Sequence, residues 1–191
     1  MKAKLSYSEA LDELTELVLA SSSNTPMVLI DGRAGAGKST FAKELQNRLF
    51  SQGDSLPRII HLDDLYPGWD GLAAGVEYLN RMILTPLGKT GTASWQEFDW
   101  NLDKRNTWRE FSGGTPLIIE GCGAINSFTK QLALTSIYLE ADEVTRKSRW
   151  FERDGERFMA YWEIWSAQEL DFYAREKSKE LADYLLDTTV S

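Results

Sequence analysis

Residues 27–50 place a strand, a tight glycine loop and a helix in immediate succession, and that order restricts the fold more than any other feature of the chain. MVLID (Met27–Asp31) is a short apolar run rich in branched side chains, and STFAKELQNRLF (Ser39–Phe50) spaces Phe41, Ala42, Leu45 and Leu49 along one helical face. Only GRAGAGK separates them, so the helix must fold back on the strand that feeds it, the opening of a parallel βα unit.

The alternation continues. RIIHL (Arg58–Leu62), PLIIE (Pro116–Glu120), TSIYLE (Thr135–Glu140) and YLLD (Tyr184–Asp187) read as further strands, with helices over GLAAGVEYLNRMIL (Gly71–Leu84) and from Ala141 to about Ala182. Ahead of them, Leu5, Ala10, Leu11, Leu14, Leu17 and Val18 recur at helical spacing, so residues 1–24 read as a helix that stops at SSSNTP. The stretch Gly88–Gly114 fits neither period and receives no assignment.

Gly32, Gly37, Lys38 and Ser39 satisfy G-x-x-x-x-G-K-[ST], with the strand before and helix after that the motif requires. Across Gly32, Gly35, Ala36 and Gly37, backbone N–H groups can wrap an anion without a side chain intervening, and the helix start adds its own N–H groups. The guest this implies is a polyphosphate. Lys38 would place its charge at the terminal phosphates, Ser39 a hydroxyl on Mg2+, and Thr40 a hydroxyl on another phosphate oxygen.

The remaining residues bear on what the phosphate is for. A guanine-reading N-K-x-D is absent, since NLDKR (Asn101–Arg105) has the wrong order, and FSGGT (Phe111–Thr115) runs straight into a strand and reads as a loop. HLDDLY (His61–Tyr66) puts two carboxylates at the end of the second strand, the sheet edge that carries the glycine loop. Asp63, with Asp64 second, can orient an acceptor hydroxyl and take its proton; capping a turn is the plainer role for such a pair. His61 reads as a strand residue. Glu120 closes PLIIE at the same edge, positioned to hold a metal-bound water. Arg146, Arg149 and Arg153 share one helical face that can close on phosphate or form a solvated basic stripe.

With 191 residues and 42% hydrophobic content the chain suits one domain with a buried core. A formal charge of −8 opposes general attraction to nucleic acid or anionic membrane, so a phosphate-bearing ligand must be held by local groups. Cys122 is the single cysteine and His61 the single histidine, which leaves no disulfide or zinc spacing and fits the cytoplasm. The first residues carry acids within their apolar pattern and read as neither a leader nor a membrane span.

DGRAGAGKST, HLDDLY, EFDWNLDKR, LIIEGCG and TRKSRWFERDGE, taken in order from about Met27 to Asp187, resemble the uridine kinase family of nucleoside monophosphate kinase-like phosphate-loop kinases. The resemblance places the acceptor-facing aspartate of the family's QDSFY at Asp63. It aligns YDFxxHxR with FDWNLDKR, making Phe98, Asp99 and Arg105 candidate acceptor contacts. Asp103 stands where the family has its pyrimidine-reading histidine, a departure that touches specificity for uridine or cytidine but not phosphoryl transfer. Tyr66 and Trp69 offer aromatic faces to a ring or sugar, Arg149 and Arg153 take the lid's charge-stabilising role, and Thr188 and Thr189 fall where the family contacts adenine.

Together these readings predict a three-layer α/β phosphate-loop NTPase fold in a single domain over residues 1–191. The sheet is expected to have five parallel strands in the order 2-3-1-4-5, helices on both faces, and a short lid at about 145–165. The expected activity is transfer of the γ-phosphoryl of ATP, with Mg2+, to a hydroxyl of a small metabolite such as a nucleoside or sugar-like alcohol. Lys38, Asp63, Arg149 and Arg153 are the expected catalytic groups and Ser39 and Glu120 the metal-holding ones. Nucleic acid and membrane are not expected partners, and no oligomeric state follows. An ATP-binding regulatory module without an acceptor would use the same loop, and a kinase for a pantothenate-like alcohol or an aminosugar would differ only around Trp69, Phe98 and Arg105.

Overall fold

The computed structural model describes residues 3–189, without the side chains of residues 3, 154 and 156–158, the last four of which fall within the expected lid. The chain runs through β1 (Ala3–Leu5), α1 (Tyr7–Leu19), β2 (Met27–Asp31), α2 (Lys38–Gln52) and β3 (Arg58–His61). A 3-10 turn (Leu62–Asp64) leads to α3 (Leu72–Tyr78), which continues through a π-helical turn (Leu79–Leu84) into α4 (Thr85–Thr90). The hairpin β4 (Ala93–Asp99) and β5 (Lys104–Phe111) precedes β6 (Leu117–Glu120) and β7 (Thr135–Glu140). The chain ends with α5 (Glu143–Asp154), α6 (Glu156–Glu176), α7 (Ser178–Leu181) and β8 (Tyr184–Asp187).

The main sheet is parallel throughout, in the order β1-β8-β7-β2-β6-β3. Its five C-terminal members reproduce the expected 2-3-1-4-5 order, read from the opposite edge. The correction is a sixth strand: Ala3–Leu5 pairs with Tyr184–Leu186. Three residues are too short to show a period, and only pairing with β8 makes them a strand. Helix α1 starts directly afterwards because Ser6 and Glu9 form a reciprocal capping box, with Ser6 N–H donating to Glu9 Oε2 at 2.8 Å.

Alternation along β2 builds both outer layers. Val28 and Ile30 point to one face, where Ala10, Leu11 and Leu14 of α1 and Phe41, Ala42 and Leu45 of α2 cover them. Met27 and Leu29 point to the other, packing in a core with Val76 of α3 and Trp162, Trp165 and Phe172 of α6. Each such side chain contributes roughly 1.5–3 kcal/mol when fully buried, so a strand covered on both faces is the hydrophobic centre of the molecule.

The unassigned stretch contains the β4–β5 hairpin, which pairs antiparallel apart from the main sheet. Most of β5 is exposed, so its side chains show no alternating burial for a sequence pattern to reveal. Gly155 interrupts the long helical region and separates α5 from α6.

Asp31, at the end of β2, is fully buried and accepts four hydrogen bonds, from Gly32 N (2.6 Å), Gly123 N (3.0 Å), Ile125 N (2.8 Å) and the Tyr173 hydroxyl (2.7 Å). It joins the glycine loop to the segment after β6 and to α6. Asp31→Ala would leave these buried donors without their acceptor. We expect it to lower stability by at least about 3 kcal/mol in urea unfolding, because each orphaned donor costs about 1–3 kcal/mol.

Candidate active site

The parallel register aligns the C-terminal ends of three strands, with Glu120 of β6 opposite Ile30 on one side and His61 on the other. The glycine loop leaves β2, the Asp63 turn leaves β3, and Glu120 ends β6. Their side chains therefore meet at one edge of the sheet, around a cavity of about 950 Å³ lined by Lys38, Ser39, Asp63 and Glu120 among others.

Two glycines are demanded by what presses on them. A Cβ on Gly32 (φ +148°) would collide with the carbonyl oxygen of Leu139, and one on Gly35 (φ +79°) with that of Arg146. The loop is thus wedged between β7 and α5. It is also propped from behind: Glu169 of α6, wholly buried, accepts from Ala34 N (2.5 Å) and Arg33 Nε (2.9 Å), while Arg146 Nη1 donates to the Ala34 carbonyl (3.2 Å).

Lys38 lies over the loop, its Nζ donating to the Arg33 carbonyl at 3.2 Å and lying 3.5 Å from Cys122 Sγ. Burial opposes its charge, but Cys122 and the acids around it, Glu120, Asp63 and Glu169, outweigh that and raise its pKa. The Cys122 thiol is pushed far up by burial and stays protonated. Ser39 Oγ donates to Glu120 Oε1 at 3.0 Å, and His61 Nδ1 shares the same oxygen at 2.5 Å. Burial works against the Glu120 charge, yet the bond from His61 and the charge of Lys38 hold its pKa down; His61 is raised in return, chiefly by that bond. Among the described residues no group of three or more His, Cys, Asp or Glu is arranged to hold a metal. Ser39 and Glu120 are nevertheless paired hard oxygen donors, which suits Mg2+, an ion that takes one or two protein oxygens and completes its shell with phosphate and water.

Asp63 lines the same cavity, 3.9 Å from Arg153 Nη1, with about half of its side chain (55%) exposed. Crowding by the cleft walls, and then the Glu120 charge, raise its pKa, with Lys38 and Arg153 pulling the other way. Arg149 donates to the Gly35 carbonyl (3.2 Å) and to the Thr188 carbonyl (2.6 Å), closing the phosphate-loop side.

Not every residue singled out in the sequence reaches this cavity. Gly35, Gly37, Lys38, Ser39, Thr40, Asp63, Tyr66, Trp69, Glu120, Arg149, Arg153 and Thr188 line it. Gly32 and Ala36 shape the loop from beneath, and Thr189 turns away to accept from Asp142 N. Phe98, Asp99 and Arg105 lie off the cleft. Phe98 packs edge-on against Trp100, and Asp99 accepts from Asn101 N and Leu102 N to close the hairpin turn. Arg105 lies over the Tyr78 ring and donates to the Leu65 and Gln96 carbonyls. Asp103 occupies that turn with φ 50°.

Other contributors went unread. Trp100, Trp150 and Trp165 line the cavity, with Trp69 at their centre, 4.8 Å from Trp100 and 5.7 Å from Trp150 between ring centroids. Glu169 carried a legible signal. Trp162, Trp165, Glu169 and Phe172 recur at helical spacing and are all buried, so an acid stands on an apolar stripe where it needs partners.

The protein-family model AAA_18, described as an AAA domain, matches residues 28–164. In structure the chain is similar to one described as a possible uridine kinase from Bacillus stearothermophilus, with TM-score 0.68 and 21% identity over 93% of this chain and 97% of that one. It is similar to a candidate fructose transport system kinase from Silicibacter sp. TM1040, with TM-score 0.66 and 20% identity over 92% and 98%. The YGR205w protein follows at TM-score 0.55 and 13% identity over 95% and 92%. At these identities the likeness is one of fold. No curated protein shows a significant sequence match.

Because Gly35 is pressed by backbone, Gly35→Ala has no flexible neighbour to displace. We expect a loss of about 1–3 kcal/mol in thermal or urea unfolding, the usual cost of a strained backbone position. Gly68→Ala, where the space is open, is the control for positive φ alone.

Proposed function

The chain belongs to the AAA_18 family of AAA domains, a phosphate-loop family, and from that premise we propose that it is a small-molecule kinase moving the γ-phosphoryl of ATP to an alcohol. The observation that carries this reading is the single cavity shared by Lys38, Ser39 and Glu120 with Asp63 and Arg153. A module that only bound nucleotide would need the first three; a further acid in the same cavity, with a cation beside it, is what transfer to a hydroxyl requires. The kinase descriptions of two proteins of similar fold agree with it.

In this reading the loop amides and Lys38 bind the β- and γ-phosphates. Ser39 and Glu120 would hold Mg2+, which supplies charge neutralisation between the phosphates when bound. His61 keeps the Glu120 carboxylate oriented through the 2.5 Å bond. Asp63 accepts a hydrogen bond from the acceptor hydroxyl, aligning its oxygen with the γ-phosphorus, and takes the proton as the O–P bond forms. Arg153 and Arg149 stabilise charge on the transferred group. Positioning and preorganised charge supply most of the acceleration. The region about 145–165 acts as the lid, with Gly155 as its break. No described helix is long and apolar enough to cross a membrane, and the proposed setting is the cytoplasm, on small molecules rather than nucleic acid.

The test is ATP consumption against a panel of nucleosides, sugars and amino alcohols, with a no-acceptor control; stimulation by none of them, in protein that binds ATP, refutes the reading. Asp63→Asn is expected to leave ATP affinity within about threefold while lowering kcat by about 10²–10⁴, the usual worth of a positioned base. Lys38→Ala should lose ATP affinity as well. Only ionised Asp63 can accept the proton, so kcat/KM should fall as pH drops through its pKa. Because that pKa is raised above the ordinary 3.8, the acid limb should begin at higher pH than for a solvated aspartate.

A further inference from the structure

The glycine loop engages its N–H groups in alternation. Ala34 N donates to Glu169 and Ala36 N to the Arg33 carbonyl (3.0 Å), while among the described residues Gly35 N and Gly37 N donate to no protein acceptor. Both glycines line the cavity, with φ of 79° and 88°. Left-handed residues alternating with ordinary ones make a concave set of N–H groups, which suits an anion.

A peptide unit is planar, so the direction of one residue's carbonyl sets that of the next residue's N–H. The carbonyls that share a peptide with the two free N–H groups are those of Ala34 and Ala36, and each has its own donor. Arg146 Nη1 of α5 donates to the Ala34 oxygen at 3.2 Å. Thr188 Oγ1, just past β8, donates to the Ala36 oxygen at 2.9 Å, closer than its other acceptor, the Glu140 carbonyl, at 3.2 Å. Arg146 is a demanding residue to keep in this position. It is buried (3% exposed) and pairs with no carboxylate among the described residues; its Nε donates to the Ala141 carbonyl at 3.2 Å, and its guanidinium lies 5.4 Å from the Trp162 ring centroid. A buried cation without a counter-ion is unfavourable, and an apolar side chain would fill the space at less cost. What the guanidinium adds is a hold on the loop. Its bond to the Ala34 oxygen also polarises that peptide, which strengthens the Gly35 N–H as a donor.

We propose that Arg146 and Thr188 are positioning residues for the nucleotide: by holding the Ala34 and Ala36 carbonyls they aim the Gly35 and Gly37 N–H groups at the phosphates before any nucleotide arrives. They act through the loop backbone and not by contact with phosphate. The proposal rests on the reading of the loop as a polyphosphate site, and is independent of Asp63 and of transfer to an acceptor.

Titration calorimetry with a non-hydrolysable ATP analogue and with inorganic tripolyphosphate, each with Mg2+, reads the loop without turnover. Arg146→Lys keeps the charge but loses the guanidinium fork, and should weaken both ligands by about tenfold or more, the scale of one hydrogen bond from a charged group. Thr188→Val keeps the shape and loses the hydroxyl, and should weaken both by about threefold or more, while Thr188→Ser should bind as wild type does. Because the effect lies at the phosphates, the two ligands should lose affinity by the same factor to within about twofold. Thermal unfolding without ligand separates this from a purely structural role, which would lower Tm and leave affinity unchanged well below it. Should Arg146→Lys fail to fold, the Thr188 pair carries the test. Unchanged affinity for tripolyphosphate in the folded variants overturns the proposal, as does a loss confined to the ATP analogue or shared equally by Thr188→Ser and Thr188→Val. Wild-type protein that binds neither ligand overturns both this proposal and the kinase reading. Weakened binding in variants of a protein that phosphorylates nothing on the acceptor panel supports the positioning and refutes the kinase reading; unchanged binding in variants of an active kinase does the reverse.

Discussion

A buried carboxylate holds together the sheet edge that carries the cavity. Asp31 gathers two amides from the segment after β6, one from the glycine loop and a hydroxyl from α6. Burial pushes its carboxyl up to about 6 even though all four donors pull the other way. Without that convergence the loop would be an ordinary turn at a strand end, and its distance from Glu120 and Asp63 would not be set. Glu169 repeats the device one turn of α6 earlier, on Ala34 and Arg33. The helix that runs out of the expected lid is therefore bolted to the phosphate loop by two acids, and α5 within that lid holds the loop through Arg146 and Arg149.

The cleft built on this edge gathers groups of different chemistry. The glycine-loop amides, Lys38 and Arg149 suit a polyanion, while Trp69, Trp100, Trp150 and Trp165 line the same cavity with the carboxylates of Asp63 and Glu120. Asp63 lies in the fields of both Lys38 and Glu120, with Arg153 at 3.9 Å. In a chain with a formal charge of −8, attraction for a polyanion must come from this small local cluster of cations rather than from the overall field.

Legibility followed the range of the interaction involved. Residues in the glycine loop could be identified because their neighbours in sequence are also their neighbours in space. Asp63 and Glu120 could be placed because a parallel sheet puts all its C-terminal strand ends on one edge. The acceptor motif led elsewhere: FDWNLDKR lies in a hairpin whose turn consumes Asp99 and whose packing consumes Arg105. The same segment contributes Trp100 instead, which spacing alone could not distinguish from its neighbours.

By itself the sequence determined the five longer parallel strands, the helices between the first of them, the phosphate loop and the acids that end the second and third of its legible strands. These are local facts, set by side-chain periodicity and by the few residues a tight loop tolerates. Tertiary structure decided the rest. It made Ala3–Leu5 a strand, since three residues have no ladder of their own, and it selected which aromatic rings face the cleft. It also turned Asp31 and Glu169, more than 130 positions apart, into one scaffold, because a buried charge is compensated only by donors that folding brings to it.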